Sequence, residues 1–361
     1  MKFYIGLMSG TSMDGIDAVL LNANTQQLFF GATYPFSTQV KSALNLILLN
    51  KTYELAQIYQ LHILLAREFA TAVTKLLKAS DIKKSAIIAI GSHGQTILHN
   101  IDTISSMSYT WQLGCPHTLS VLTGIKVVAD FRSRDVALGG NGAPLAPLYH
   151  QELFGNLQLP VVIVNIGGIA NLTLLTAHKI CGYDIGPGNC LMDLWIYLHA
   201  NQNYDTQGLW AAQGNICHDL LTAFLSDAYF HKIAPKSIGR EYFAMSWLEK
   251  YNCHNYSAVD VQATLLQLTA ILISEALKQL CLKPQYLLIC GGGTHNSLLL
   301  TRIATLLPET IVTSTEKFAI SPDFIEAQMI AWLAAQRLRK RKFNLKNITG
   351  STQSTVLGVI Y

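Results

Sequence analysis

The chain has 361 residues, enough for two domains with sizeable cores; half are hydrophobic and only 13% are charged. A net charge of +4 over that length gives no ground for a nucleic-acid or acidic-membrane surface. Seven cysteines, scattered singly with no C-x-x-C pair, exclude a disulfide framework and a cysteine zinc site and fit reduced thiols in the cytosol.

In chain order, an apolar strand is expected over residues 2–8, broken by Ser9 and Gly10 too soon to be a signal peptide. The turn Met8-Ser-Gly-Thr-Ser-Met-Asp-Gly-Ile-Asp17 leads into a second strand at 16–22, and a third follows at 27–34. Leu55, Ile58, His62, Leu65, Phe69, Val73 and Leu76 recur at helical spacing, so residues 54–77 should form an amphipathic helix. A strand at 85–90 should end in the loop 91–96, and another is expected at 125–129.

The order then repeats. Strands at 161–166, 169–175 and about 179–184 enclose a second glycine-rich turn, Asn165-Ile-Gly-Gly-Ile-Ala-Asn171, and a helix follows from 189 to about 199. A long helix over 257–280 opens with Ser257-x-x-Asp260, a capping-box-like start. Its polar residues, like those of the other long apolar stretches, exclude a membrane span. A strand at 286–290 meets Gly291-Gly-Gly293, and a last helix should start at Ser321-Pro322-Asp323, with Pro at its first position. The basic run Arg337-Leu-Arg-Lys-Arg-Lys342 would close that helix as a solvated cationic end, since no aromatic residues are interleaved with it. Three strands followed by alternating helices and strands, occurring twice, predict two similar α/β lobes. The division is expected after residue 131, giving lobes 1–131 and 132–361.

An apolar strand, a Gly/Ser/Thr/Asn turn and a second apolar strand make a hairpin whose tip offers backbone N–H groups and hydroxyls to an anion. Two such tips suggest nucleotide-dependent phosphoryl transfer. Other phosphate and nucleophile motifs fail. Gly10 and Gly15 have Walker A spacing, but Ile16 and Asp17 stand where Lys and Ser/Thr are required. Neither Gly140-Asn-Gly142 nor Gly186-Pro-Gly188 completes a dinucleotide fingerprint. Residues 91–94 lack the G-x-S-x-G elbow, and His93 and His99 lack a zinc-binding helix pattern.

Those two turns belong to an ordered set: Ser92-His-Gly-Gln-Thr96, Asp130-Phe-Arg132, Gly139-Gly-Asn-Gly-Ala-Pro-Leu145, Asp184-Ile-Gly-Pro-Gly-Asn189, Lys236-Ser-Ile-Gly-Arg-Glu241, Cys290-Gly-Gly-Gly-Thr-His-Asn296 and Glu326-Ala-Gln-Met-Ile-Ala-Trp-Leu333. The set covers essentially the whole chain and resembles the anhydro-N-acetylmuramic acid kinase family, of the sugar kinase, Hsp70 and actin superfamily. The resemblance implies two ribonuclease-H-like lobes in an actin-like ATPase fold with a central active-site cleft, and a cytoplasmic homodimer. It also implies ATP-dependent hydrolytic opening of 1,6-anhydro-N-acetylmuramic acid with phosphorylation of O6, a step in bacterial cell-wall recycling. The family usually has Thr where this chain has Ile185, and Gln where it has Asn141.

With that resemblance, Gly10, Thr11, Ser12, Met13, Asp14, Gly15, Ile16 and Asp17 are expected to cradle phosphates, facing Gly167, Gly168 and Asn171 of the second turn. A carboxylate near a phosphate needs an intervening cation, so Asp14 or Asp17 is expected to orient Mg²⁺ through water. Gly291, Gly292, Gly293 and Asn296 suit adenosine. Asp184, at a strand end before a rigid turn, is the expected base. Glu326, isolated among apolar residues of one helix, should face a polar site and assist. His93, Gln95, Thr96 and Arg132 are assigned to the sugar, Arg132 to its carboxylate. Lys236 and Arg240 either border the site or are exposed cations. The competing readings are a kinase of the same superfamily with another acceptor, and a nucleotide-binding module without acceptor-dependent turnover.

Overall fold

The computed structural model describes residues 1–10, 15–49, 54–102, 107–234, 236–239 and 242–361, with backbone alone at 48 and 49. Spatial packing divides the chain into two units, Met1–Tyr149 with Phe324–Tyr361, and His150–Asp323.

The first unit opens with three antiparallel strands, β1 (Phe3–Ser9), β2 (Gly15–Asn22) and β3 (Leu28–Pro35). Helices α1 (Thr38–Leu49) and α2 (Leu55–Ser80) follow, then β4 (Ile87–Asn100), β5 (Tyr109–Leu113), α3 (Pro116–Thr123), β6 (Val127–Ala129) and α4 (Ser133–Ala137). Helix α5 (Ala146–Phe154) carries the chain into the second unit. In α2, Leu65, Phe69, Val73 and Leu76 of the expected stripe are buried, packed with Phe3, Ile5, Leu7 and Leu20 of the sheet, whereas Leu55 is exposed, Ile58 and His62 are half-buried, and Leu61 is buried in their place. Burying each such side chain contributes about 1.5–3 kcal/mol.

The second unit repeats the pattern with β7 (Val161–Ile166), β8 (Ile169–Leu175) and β9 (Ile180–Pro187), then α6 (Cys190–Ala200), α7 (His218–Leu225), α8 (Met245–Glu249) and α9 (Ala258–Gln279). It ends with β10 (Tyr286–Cys290), α10 (Ser297–Leu306) and β11 (Ile311–Ser314). Ser257 caps α9 by accepting the Asp260 N–H at 3.2 Å, as its sequence predicted. Helix α9 is long and apolar enough to cross a membrane by length and composition, yet 67% of its most apolar window is buried in the core with Trp195, Phe224 and Trp247. After it the chain returns to the first unit as α11 (Ile325–Leu338) and β12 (Val359–Ile360).

The two sheets share one plan. The first runs β12-β6-β4-β1-β2-β3, with β5 added to β4; the second runs β11-β10-β7-β8-β9. In each, an antiparallel meander of three strands is extended from its first strand by two parallel ones, the ribonuclease-H-like arrangement expected.

Three local expectations shift. The segment 91–96 is not a loop; it continues β4, because it keeps pairing with β1 (Gly6 with Gly91, Ser9 with Gln95) and then with β5. The last helix starts at Ile325 rather than Pro322, whose carbonyl instead accepts the Gly291 N–H at 3.0 Å. The packing division differs from a break after residue 131, because residues 132–149 and α11 lie with the first sheet.

Helix α11 sits directly on β1 and β4. A Cβ on Gly6 would meet the Ala327 carbonyl, and one on Gly91 the Ile330 carbonyl, so two bare positions side by side let the helix backbone touch the sheet. Gly6→Ala should therefore destabilise the protein by about 1–3 kcal/mol, the usual scale of overpacking. A urea titration would read this as a lower midpoint with unchanged slope, and an unmoved midpoint would show that the helix yields freely.

Candidate functional site

In the first unit, Gly10 and Gly15 flank the hairpin tip, and Ile16 belongs to the core. Thr11, Ser12, Met13 and Asp14, expected to cradle phosphates, lie outside the described residues. Asp17 stands on β2 opposite Met8 and next to Thr33 of β3, whose hydroxyl donates to its carboxylate at 2.6 Å. The first turn of α11 brings Glu326 into the same electrostatic environment. Burial raises the Glu326 carboxyl above the usual range, the Asp17 charge raises it further, and Arg132 opposes both.

Arg132 follows β6 and is half-buried. Its Nε donates to His93 Nε2 at 3.0 Å and its Nη1 to the Gly142 carbonyl at 2.7 Å. His93 Nδ1 lies 2.9 Å from the Gly94 carbonyl, which only accepts. The proton therefore sits on Nδ1, leaving Nε2 as the acceptor for Arg132. Burial and the Arg132 charge push His93 down to about 3, so it stays neutral. Ser9 donates to Gln95 Oε1 at 2.5 Å, and Gln95 Nε2 donates to the Thr96 carbonyl at 3.3 Å. His93 and Gln95, 5% and 1% exposed, thus spend these groups inside the protein, whereas Thr96 and Arg132 are half-buried.

In the second unit, register does the assembling. Asn165 pairs with Asn171 across β7 and β8, and Asn171 pairs with Asp184 across β8 and β9. Directly paired residues share a face, so two amides and a carboxylate stand abreast beside the Gly167-Gly168 tip. The tip's carbonyls face α6: Gly167 O accepts Asn189 N–H at 2.8 Å, and Gly168 O accepts Gly188 N–H at 2.9 Å and Cys190 N–H at 3.2 Å. Position 188 has to be glycine, since a Cβ there would strike the Gly167 carbonyl.

Asp184 is half-buried. Its Oδ2 accepts the Ile238 N–H at 3.0 Å, and Ser237 adds a side-chain hydrogen bond. Burial outweighs both and raises the carboxyl to about 6. Its backbone is fixed as well: Asp184 N–H donates to the Lys236 carbonyl at 3.0 Å, and the Tyr229 hydroxyl donates to Asp184 O at 2.8 Å. Lys236 is an anchor: its ammonium lies 4.8 Å from the Tyr229 ring centroid and donates to the carbonyls of Tyr229 and Phe230. Arg240 lies outside the described residues. Ile185 is the extra residue at a register shift of β9 and is in the core, so the departure from Thr falls on the packing side.

The Gly291-Gly-Gly293 turn follows β10 next to Asn165, with Gly291 at φ 78. Asn296 uses its side-chain oxygen to cap α10, accepting Leu299 N–H at 3.0 Å. Asn165 was not among the expected site residues: counting outward from a two-glycine tip would pair it with Ala170, and only the observed register, centred on Gly168, sets it opposite Asn171. Among the described residues no group of three or more His, Cys, Asp or Glu is placed to hold a metal directly. Chemically, the second unit offers a glycine turn beside a weakly acidic carboxylate. The first offers a guanidinium oriented by two hydrogen bonds and a buried acid, Glu326, whose charge it favours.

Comparison with known proteins gives a consistent result. The sequence model of the family described as anhydro-N-acetylmuramic acid kinase matches residues 2–361. A protein of that name from Legionella pneumophila (strain Lens) is 50% identical over 100% of this chain and 98% of its own length. Its namesake in Sulfurovum sp. (strain NBC37-1) is 44% identical over 99% and 98%. The one in Coxiella burnetii (strain Dugway 5J108-111) is 41% identical over 99% and 97%. Among solved structures, (R)-2-hydroxyglutaryl-CoA dehydratase component A of Acidaminococcus fermentans aligns at 10% identity and a TM-score of 0.48, over 94% of this chain and 100% of that one, too loosely to bear on function.

Proposed function

The chain belongs to the anhydro-N-acetylmuramic acid kinase family, and from that membership we propose that it uses ATP and water to convert 1,6-anhydro-N-acetylmuramic acid to N-acetylmuramic acid 6-phosphate in bacterial cell-wall recycling. The observation that carries the chemical part is Asp184, half-buried and raised to about 6 beside the Gly167-Gly168 turn. In the anhydro sugar O6 is bonded to the anomeric carbon and has no proton to lose. A base must therefore activate water, not the acceptor hydroxyl. Asp184 takes that proton as water attacks the anomeric carbon; the bond to O6 breaks, and O6 attacks the γ-phosphorus of ATP, whose bond to the β,γ-bridging oxygen breaks as ADP leaves.

The other roles follow their chemistry. Gly10, Gly15, Gly167 and Gly168, with Asn171, are assigned to the phosphates. The 291–293 turn, with Asn296 capping α10 behind it, is assigned to adenosine. Arg132 has five N–H donors, of which two are committed to His93 and Gly142, and the rest suit the sugar's carboxylate. Thr96 is assigned to the sugar directly, His93 and Gln95 through the groups they hold, and Glu326 to orienting sugar or water.

Asp184→Asn should bind ATP and sugar normally by calorimetry and lose about 10²–10⁴-fold in turnover, the range of a positioned base. The wild-type kcat/KM should fall as pH drops through about 6, where Asp184 gains its proton and can no longer accept one. Sugar-dependent ADP release measures both, and heavy-oxygen label from water should appear at the anomeric position. Near-normal turnover in the variant would move the base role to Glu326.

We also infer a requirement for Mg²⁺. Asp17 fits an ion held through water: it is a single carboxylate, steadied by Thr33, on the strand leaving the first hairpin. Bound there, the ion would neutralise phosphate charge. Chelation with EDTA should abolish ADP release and added Mg²⁺ should restore it; full activity in EDTA would overturn the assignment.

The assembly and compartment are read as a cytoplasmic homodimer, supported by the family likeness and by seven free cysteines. Sedimentation at micromolar concentration should give twice the chain mass of 39.7 kDa, and a single-chain mass would refute the pairing.

A further inference from the structure

Asp135, on α4, is fully buried and has no part in the chemistry above. Both of its carboxylate oxygens are used. Oδ2 accepts the Gly142 N–H at 2.7 Å, and Oδ1 accepts the Thr349 hydroxyl at 2.8 Å. Its backbone carbonyl accepts the Gly140 N–H at 2.9 Å. Thr349, 1% exposed, also accepts the Asn141 N–H on its carbonyl at 2.7 Å. Three residues on, Thr352 donates its N–H and its hydroxyl to the Leu138 carbonyl at 3.1 and 2.8 Å. The segment 138–142 is thus held by Asp135 on one side and by residues 349–352 on the other.

What that segment presents is the Gly142 carbonyl, which accepts Arg132 Nη1. With the second bond from Nε to His93, two contacts fix the plane of the guanidinium. A flat group held at two of its edges can turn only if one holder moves. His93 is fixed by its own backbone bond, so the adjustable holder is the 138–142 segment.

We propose that Asp135 and Thr349 are positioning residues that aim Arg132 at the acidic group of the acceptor, through the Gly142 peptide. This rests on the assignment of Arg132 to the sugar's carboxylate. The identity of the two side chains follows from the bonding. Both partners of Asp135 are donors, so an ionised carboxylate satisfies both, whereas an amide must turn its NH₂ toward one of them. Burial disfavours the charged form of Arg132, and Asp135 opposes that burial together with Glu326.

The test is a set of substitutions in the full-length enzyme. Thr349→Val keeps the shape and removes the hydroxyl; Thr349→Ser keeps the hydroxyl. Thr349→Val should raise KM for the anhydro sugar about tenfold, on the scale of one hydrogen bond to a charged group, with KM for ATP unchanged and kcat changed less. Thr349→Ser should restore the sugar KM, and Asp135→Asn should show the same split. Equal loss in both KM values, or no loss in Thr349→Val, would overturn the proposal. A second readout needs no turnover: the imidazole nitrogen shifts of His93 should show Nδ1 protonated in both forms, while the Nε2 shift, which reports the bond from Arg132, should move in Thr349→Val as that bond weakens. An unchanged Nε2 shift in the variant would overturn the mechanism of positioning. If the wild type released no ADP with this sugar, the functional reading would fail by itself, and the His93 shifts would still decide whether residue 349 places Arg132.

Discussion

The close approach of the α11 backbone to β1 and β4 is the constraint on which the first unit's polar groups depend. Without side chains at Gly6 and Gly91, carbonyls of the helix lie against the sheet, and the first turn of α11 is held at the end of the strands. Glu326 is in that turn, where Asp17 and Arg132 both act on it. A helix set one side-chain layer further out would leave Glu326 in water with an ordinary acidity. The local geometry is therefore a consequence of packing. The chain returns to its first unit over residues 324–361, and the same return delivers Thr349 to Asp135.

Burial sets the protonation pattern, and in each case the partner decides what the burial means. Asp184 loses water but keeps two hydrogen bonds, so its carboxyl rises only to about 6 and remains ionised near neutrality. That is the condition of a useful base: charged, yet poorly enough solvated to want a proton. His93 is buried beside a permanent cation, so it is driven the other way and becomes a fixed acceptor. Glu326 lies between an acid that disfavours its charge and an arginine that favours it, with burial the larger influence.

Most of the fold was legible because its signals are local. Alternation of apolar strands and helical stripes located the two meanders, and Ser257 with Asp260 marked the start of α9. The misread segments were those decided by distant partners. Residues 91–96 look like a loop by their glycines and hydroxyls, yet β1 and β5 on either side keep them extended. Pro322 has the look of a first helical residue, but its carbonyl is engaged by Gly291. The candidate site shows the same division. The glycine turns, Asp184, Arg132 and Glu326 stood out by type and position. That His93 and Gln95 bond inward, and that Asp135 is joined to Thr349 across 214 residues of sequence, is a property of the tertiary structure alone.

The two meanders differ where their chemistry differs. Each has a polar residue on its second strand just past the hairpin tip, Asp17 in the first and Asn171 in the second. An amide donates to a phosphate oxygen with no charge to repel it, and Asn165 opposite Asn171 doubles that capacity. A carboxylate in the same setting repels the anion at close range, by about 4 kcal/mol at 4 Å for partly screened unit charges. Asp17 is thus useful beside a polyphosphate only with a cation between them, and Thr33 holds it in a fixed orientation for one. One scaffold used twice therefore carries an amide past the tip in the second unit and a carboxylate at the matching place in the first. The difference comes down to an amide in one hairpin and an acid in the other.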